Sequence, residues 1–200
     1  MNIAKIFGRG LAVVLLSAGL AAAAGVTDEV KKTVDEVVRI VGDREMKKQA
    51  NEQKRRKALK GAIGDIFDYR EMARRSLASS WSTLSPAQQK EFTDLFATLL
   101  ENSYADKIES YNNEKIVYGR ESVEGNYAEV KSKVVTSKDE FALDYRLHRS
   151  GSGWMVYDVV IEGVSLVSNY RSQFSKIMRS EGYPGLVSRL KSKAGGLKGP

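Results

Sequence analysis

The stretch Trp154–Phe174, which reads WMVYDVVIEGVSLVSNYRSQF, contains a strand, a helix and the junction between them. Residues 154–161 are apolar at nearly every position, which predicts a strand that is buried on both faces. Gly163 permits backbone angles that other residues avoid, and Ser165 is a residue type that caps helices. Apolar residues then recur at helical spacing. The stretch therefore predicts a strand that turns directly into a helix, with 162–165 as a structural junction.

Twofold alternation of apolar residues predicts three more strands before this stretch. They lie at 115–121, 127–136 and 141–148, and short turns containing Gly, Asn, Asp or Ser separate them. Four strands joined by three short turns form an antiparallel meander. We therefore expect a four-stranded antiparallel sheet whose last strand is 154–161.

The segments on both sides of the sheet show helical spacing. Valines repeat at this spacing between Val30 and Val41, and Ser85-Pro86-Ala87-Gln88 is a capping box that opens a long helix. Gly182-Tyr183-Pro184 should interrupt the last helix, and residues 194–200 are predicted to form a flexible tail. The order predicts an α+β fold with a helical N-terminal half and helices packed on one face of the sheet.

The first residues have the pattern of a secretory signal peptide. Lys5 and Arg9 precede an apolar run, and the small residues Ala22 and Ala24 follow it. We expect residues 1–24 to be a signal peptide that is cleaved near Ala24. The protein would then be exported to the periplasm, with residues 25–193 forming one domain.

The composition excludes several chemistries. The chain has 200 residues, a formal charge of +7 and no cysteine, so disulfides, zinc fingers, iron–sulfur sites and thiol nucleophiles are excluded. A single histidine, His148, leaves no histidine pair for a metal, and its place near a turn predicts a surface position. No phosphate-binding glycine loop or nucleophile elbow is present in the sequence. Export argues against nucleic acid as a partner of the basic charge.

Two motifs each admit a functional and a structural interpretation. Asp144, Tyr145, Tyr157 and Asp158 fall on neighbouring strands, where an Asp beside a Tyr can act as an acid/base pair. Alternatively, Asp144 lies on the face opposite Tyr145, and Asp158 pairs with Arg146 across the ladder.

The second motif is the basic run Lys54-Arg55-Arg56-Lys57. It is either a solvated helix face or a docking surface for acidic partners or anionic head groups.

Large apolar side chains exceed what one sheet face needs. They come from the stripe of the long helix, from the strand 154–161 and from the last helix. Such a surplus either encloses an apolar ligand between sheet and helices or fills a solid core. Composition alone does not separate these two outcomes.

The stretch Trp154–Phe174 closely resembles the signature of the MlaC family, the periplasmic phospholipid-binding proteins also called toluene-tolerance proteins. Other segments resemble the same family, and they are Phe67–Ala73, Trp81, Ser85–Gln89, the helix from Phe92 to Tyr104, Asp144-Tyr145-Arg146 and Gly182…Gly185-Leu186. The resemblance extends over residues 26–193.

This resemblance implies an NTF2-like sheet with a helical subdomain and a bound phospholipid whose acyl chains lie inside the protein. It implies a carrier that shuttles lipid between an outer-membrane lipoprotein–porin complex and an inner-membrane ABC transporter with an MCE-domain subunit. It also implies no catalytic residue, metal or cofactor. With the apolar surplus, it predicts that the lipid-binding walls are formed by Phe92, Phe96, Leu99, Leu100, Tyr104, Leu143, Tyr145, Val156, Val164, Leu166 and Tyr170. The alternatives are an NTF2-like enzyme acting on a small apolar substrate and a periplasmic adaptor with a filled core.

Overall fold

The computed structural model describes residues 25–112, 114–151 and 153–196, and its helices flank an antiparallel sheet. The helices are α1 (Val26–Gly42), α2 (Glu52–Gly64), α3 (Tyr69–Leu77), α4 (Pro86–Glu109) and α5 (Leu166–Gly196). Short 3-10 helices precede α2 at Gln49–Asn51 and follow α3 at Ala78–Thr83. The α+β fold with a helical N-terminal half is confirmed. The predicted signal peptide lies outside the described residues.

The last helix contains the break that the sequence predicts. Gly182 has φ of 66° and ψ of −171°, so α5 consists of two helical segments that meet there, with Pro184 just beyond. A left-handed φ favours glycine. The second segment continues to Gly196, so the tail predicted from residue 194 begins as helix, and residues 197–200 lie outside the described residues.

The sheet has five strands where four are predicted. The strands β1 (Lys115–Glu124), β2 (Tyr127–Val135), β3 (Glu140–Ser150), β4 (Gly153–Ile161) and β5 (Val164–Ser165) are antiparallel neighbours in chain order. The extra strand exists because Glu162 and Gly163 both have positive φ, 49° and 79°. Positive φ at two successive residues makes a tight hairpin turn. The chain therefore folds back on β4 for two residues before α5 begins.

Hydrogen bonds at this hairpin fix the start of α5. Ser165 Oγ accepts a hydrogen bond from the Ser168 amide at 3.0 Å, which confirms the predicted helix cap, and it donates to Asp158 Oδ2 at 2.6 Å. Asp158 Oδ1 accepts from the Val167 amide at 3.0 Å. Arg146 Nη1 lies 3.4 Å from Asp158 Oδ2, as the ladder predicts. The buried Asp158 carboxylate thus joins β3, β4 and the helix.

The apolar core is divided into three clusters. An aromatic cluster between α3, α4 and α5 is centred on Phe92, Phe96 and Phe174, whose ring centroids lie 5.4–5.8 Å apart. A second cluster lies between α1 and the sheet. A small third cluster joins α1 to α2 through Ile40, Val41 and Leu59.

A short bridge connects the helical layer to the sheet at the end of α2. Val156 of β4 donates its amide proton to the Ile66 carbonyl at 2.7 Å, and Asp68 donates to the Val156 carbonyl at 2.9 Å. Phe67 thus pairs in parallel with Val156. This pairing holds the start of α3 against the middle of the sheet.

Candidate functional site

A cavity of about 900 Å³ lies between the helical layer and the sheet. Its walls come from α1, α2, the start of α3, the C-terminal half of α4, strands β1 to β4 and the first residue of α5. The volume is near the upper end of the range of roughly 300–1,000 Å³ for ligand pockets. The cavity shows that the apolar surplus does not fill a solid core.

The helical wall follows from the spacing of apolar residues. Val30, Val34 and Val37 of α1 lie on one face because helical residues four and seven positions apart share a face. Leu59 and Ile63 of α2 have the same spacing. These two helices supply part of the helical wall of the cavity.

The long helix and the sheet complete the walls. Leu100, Tyr104 and Ile108 repeat every four residues along the second half of α4. Leu143 and Tyr145 alternate toward the cavity on β3, where residues two apart share a face. The part of the cavity wall that α4 and β3 form is therefore aliphatic and aromatic.

Six of the eleven predicted wall residues line this cavity. They are Leu100, Tyr104, Leu143, Tyr145, Val156 and Leu166. Tyr104 also packs against both the aromatic cluster and the cluster at the sheet, so it lies where the two clusters meet the cavity.

The structure places the other five predicted wall residues elsewhere. Phe92, Phe96, Leu99 and Tyr170 pack in the aromatic cluster between helices, and the Val164 side chain on β5 is 57% exposed. The 24 residues of α4 span about 36 Å, so its first half packs on α3 and α5 and its second half reaches the cavity. One apolar stripe therefore serves two environments, which helical periodicity cannot distinguish.

Sequence reasoning missed the contribution of α1 and α2. The valine spacing of α1 was available as a signal, but it predicted an amphipathic helix without indicating what its apolar face covers. Leu59 and Ile63 lie in a segment dominated by charged residues, so their pattern is weak.

The cavity interior is mostly apolar, and its charged lining residues, which we call the rim, all keep some contact with solvent. None of its charged lining residues is buried, and they are Arg56, Lys57, Lys60, Glu101, Lys107, Glu109, Glu114 and Glu162. Burial raises the pKa of the Tyr145 hydroxyl above its ordinary value. The pKa of the Tyr69 hydroxyl is also raised, chiefly by burial and secondly by the nearby Glu101 carboxylate. The pKa of Tyr118, which packs beside Tyr145 in the same cluster, is raised to about 12, chiefly by burial. These tyrosines are neutral at physiological pH.

Two arginines of the predicted docking run bind α4. Arg55 Nη2 lies 2.5 Å from Glu109 Oε2, and the two side chains are only 12% and 13% exposed. Arg55 also donates to the Met46 carbonyl at 2.6 Å. Arg56 pairs with Asp106 at 3.1 Å and with Glu109 at 3.2 Å. These arginines therefore hold α2 on α4. Arg55 fits neither interpretation of the basic run, because both a solvated helix face and a docking surface require an exposed charge.

The candidate acid/base residues are engaged in structural contacts. Asp144 accepts hydrogen bonds from Lys131 Nζ at 2.8 Å and from the Ser132 amide at 3.1 Å. Asp158 binds the start of α5 as described above, and the guanidinium of Arg75 lies 3.9 Å from the Tyr157 ring centroid. Tyr145 alone of the four lines the cavity. The structure thus favours the structural interpretation of this set.

His148 lies less exposed than the sequence predicts. Its side chain is 20% exposed, and Nε2 lies 3.0 Å from Asp68 Oδ2. Asp68 Oδ1 accepts from the Glu71 amide and so caps α3. The histidine therefore supports a helix cap. Within the described residues, no cluster of three or more His, Cys, Asp or Glu side chains is placed to hold a metal, and no helix is long and apolar enough to span a membrane.

A large, mostly apolar cavity whose charged lining residues all keep some contact with solvent is typical of a binding site for an apolar or amphiphilic molecule. The family model described as MlaC protein matches residues 31–192, so the chain belongs to the MlaC family. The resemblance carried by Trp154–Phe174 is thereby confirmed.

Individual relatives agree with the family. A toluene tolerance protein of Pseudomonas putida is 27% identical over 186 residues, which cover 89% of this chain and 85% of the relative. The intermembrane phospholipid transport system binding protein MlaC of Haemophilus influenzae is 24% identical over 59% of this chain and 58% of its own length. A phospholipid-binding protein of Ralstonia solanacearum, solved with a phospholipid, superposes with a TM-score of 0.79 at 30% identity and covers 86% of this chain and 98% of that one.

Proposed function

We propose that this protein is a periplasmic phospholipid carrier that encloses acyl chains in the cavity between its helices and its sheet. The observation that carries the proposal is the apolar cavity of about 900 Å³ with charged residues confined to the rim. Membership of the MlaC family and the phospholipid in the Ralstonia structure support the same ligand.

Transfer energetics explain why such a carrier needs this interior. A diacyl lipid has roughly 30 methylenes, and each contributes about 0.8 kcal/mol on leaving water. Carrying the tails through water unprotected costs on the order of 24 kcal/mol. The aliphatic and aromatic walls of the cavity would keep acyl chains out of water. Because the tails provide most of the affinity, selectivity among head-group alcohols should be weak.

The proposed route connects two membranes. The carrier takes part in exchange between an inner-membrane ABC transporter with an MCE-domain subunit and an outer-membrane lipoprotein–porin complex. The predicted signal peptide supports a periplasmic location, and the intermembrane transport system named for the Haemophilus relative supports the route. The NTF2-like relationship of the sheet stays a prediction of the family resemblance.

The proposed role is non-catalytic and requires no cofactor beyond the bound lipid. The alternative, an NTF2-like enzyme on a small apolar substrate, needs an acid/base group in the cavity. Asp144 and Asp158 are committed to the sheet and to the start of α5, which supports the carrier over the enzyme.

Lipid analysis of the purified protein tests the proposal. The mature chain is expressed with export to the periplasm, purified without detergent and extracted, and the lipid is quantified by mass spectrometry against protein concentration. We expect stoichiometric phospholipid with mixed head groups. Protein that carries no phospholipid, and that takes none from vesicles, refutes the carrier.

A further inference from the structure

Four cationic side chains lie on the cavity rim where α2 faces α4. Arg56, Lys57 and Lys60 come from α2, and Lys107 comes from α4. Lys60 pairs with Glu101 at 3.0 Å, and Arg56 pairs with Asp106 and Glu109. Within the described chain, the ammonium groups of Lys57 and Lys107 have no ion pair and no hydrogen bond, although the Lys107 carbonyl accepts one from Ser110 Oγ at 2.8 Å.

The two lysines line the same cavity, on helix segments that an ion pair joins. Lys57 follows Arg56 on α2 and Lys107 follows Asp106 on α4, and the Arg56–Asp106 ion pair of 3.1 Å joins these two helix segments. Lys107 Nζ lies 6.0 Å from the ring centroid of Tyr104, which lines the cavity. Their ammonium groups are therefore within reach of a ligand group that leaves the cavity here.

The acidic residues of the rim do not neutralise these lysines. Glu101 and Glu109 are paired with Lys60, Arg55 and Arg56. Glu114 precedes β1 and Glu162 lies in the turn between β4 and β5, so neither carboxylate belongs to α2 or α4. The uncompensated charge where α2 meets α4 is positive.

We propose that Lys57 and Lys107 bind the phosphodiester of the phospholipid whose tails fill the cavity. This inference rests on the proposed function. A phosphodiester carries one negative charge and strong acceptor oxygens, and a lysine ammonium binds phosphate as a compact charge with three donors. The long apolar stems of the lysines lie along the cavity wall while their charged ends stay in water.

The site recognises a chemical class and not an individual lipid. Every phospholipid has the phosphodiester, whereas a diacylglycerol with the same tails lacks it. Lys57 and Lys107 therefore separate phospholipids from neutral diacyl lipids without selecting the head-group alcohol.

Binding of tail-matched lipids tests the site. Dissociation constants are measured by displacement of a fluorescent phospholipid, using phosphatidylglycerol, phosphatidylcholine and diacylglycerol with identical acyl chains. For the Lys57→Gln/Lys107→Gln variant we expect about tenfold weaker binding of both phospholipids and unchanged binding of diacylglycerol, since exposed charge pairs contribute modestly. Lys54→Gln is the matched control because Lys54 lies on α2 away from the cavity lining and has no ion pair among the described residues.

Three results overturn the inference. The first is unchanged phospholipid binding by the double variant, and the second is a loss of diacylglycerol affinity equal to the loss of phospholipid affinity. The third is displacement of bound phospholipid by millimolar inorganic phosphate, which would indicate a free-anion site. A parent protein that binds none of the three lipids refutes the proposed function instead. The melting temperature of each variant is compared with that of the parent, and Lys57→Arg/Lys107→Arg restores phospholipid affinity if charge is the cause.

Discussion

Replacing Ala105 with tryptophan fills part of the cavity without altering its walls elsewhere. Ala105 lies on the second half of α4, next to Tyr104, and its methyl group is part of the cavity lining. Alanine and tryptophan differ by well under 1 kcal/mol in helix propensity, so α4 should persist. The indole enters space that the proposal assigns to acyl chains.

The magnitude follows from the methylenes that the indole displaces. An indole ring occupies about the room of five methylenes, and each contributes about 0.8 kcal/mol to lipid affinity. Ala105→Trp should therefore cost about 4 kcal/mol, on the order of a thousandfold in Kd for a diacyl lipid. A lysophospholipid with a single chain needs less of the cavity and should lose much less affinity.

The assay is displacement of a fluorescent phospholipid, with the melting temperature measured on the same samples. Ala87→Trp serves as the control because Ala87 is exposed near the start of α4 and lies away from the cavity. A folded Ala105→Trp protein that binds diacyl phospholipid as tightly as Ala87→Trp refutes the assignment of the tails to this cavity.

Three further changes test other contacts of the fold. Ser165→Ala removes the cap on the Ser168 amide and the hydrogen bond to Asp158, so urea unfolding should show a loss of about 1–2 kcal/mol while the lipid content of the purified protein stays at the parent level. Arg55→Gln leaves the Glu109 carboxylate and the Met46 carbonyl without their partner. Breaking a buried ion pair costs about 3–5 kcal/mol. Because both side chains keep some contact with solvent, we expect urea unfolding to show a free energy of unfolding lower by about 2–3 kcal/mol. Equal stability of variant and parent would show that the pair does not hold α2 to α4. Hydrogen bonds from the Thr27 side chain and amide hold the pKa of Glu121 below its ordinary value of 4.5, so the stabilisation is present above that pH and is lost as pH falls through the lowered pKa of the folded state. The difference in melting temperature between parent and Glu121→Gln should therefore narrow as the pH is lowered from 6 to 3, and a constant difference contradicts this linkage.

Local residue patterns were sufficient to predict the main helices and strands and their order along the chain. The box at Ser85 and Gln88 forms as predicted, with hydrogen bonds of 2.9 and 3.3 Å, and the alternation on β3 places Leu143 and Tyr145 in the cavity. The strand β5 was missed because two residues are too few to show a period. Its turn depends on a positive φ at Glu162, a residue type that gives no such signal.

The residues of the candidate site were less predictable, because cavity-lining residues and packed core residues are both large and apolar. Phe96 and Tyr104 lie eight residues apart on one apolar stripe, yet Phe96 packs against Phe174 and Tyr104 faces the cavity. What separates them is where α5 crosses α4, a relation between distant segments that periodicity within α4 does not contain. The same limit applies to Arg55, whose partner Glu109 is 54 residues away in the chain.

The rings of Phe92, Phe96 and Phe174 do not line the cavity, and this bears on the stability of the protein when no ligand is bound. A carrier spends part of every cycle without cargo, when the ligand contributes nothing to stability. Here the interlocked rings between α3, α4 and α5 are complete whether or not tails are present. If the protein is the carrier proposed above, release of the lipid leaves the packing of these three rings intact, which favours a folded protein that can bind lipid again.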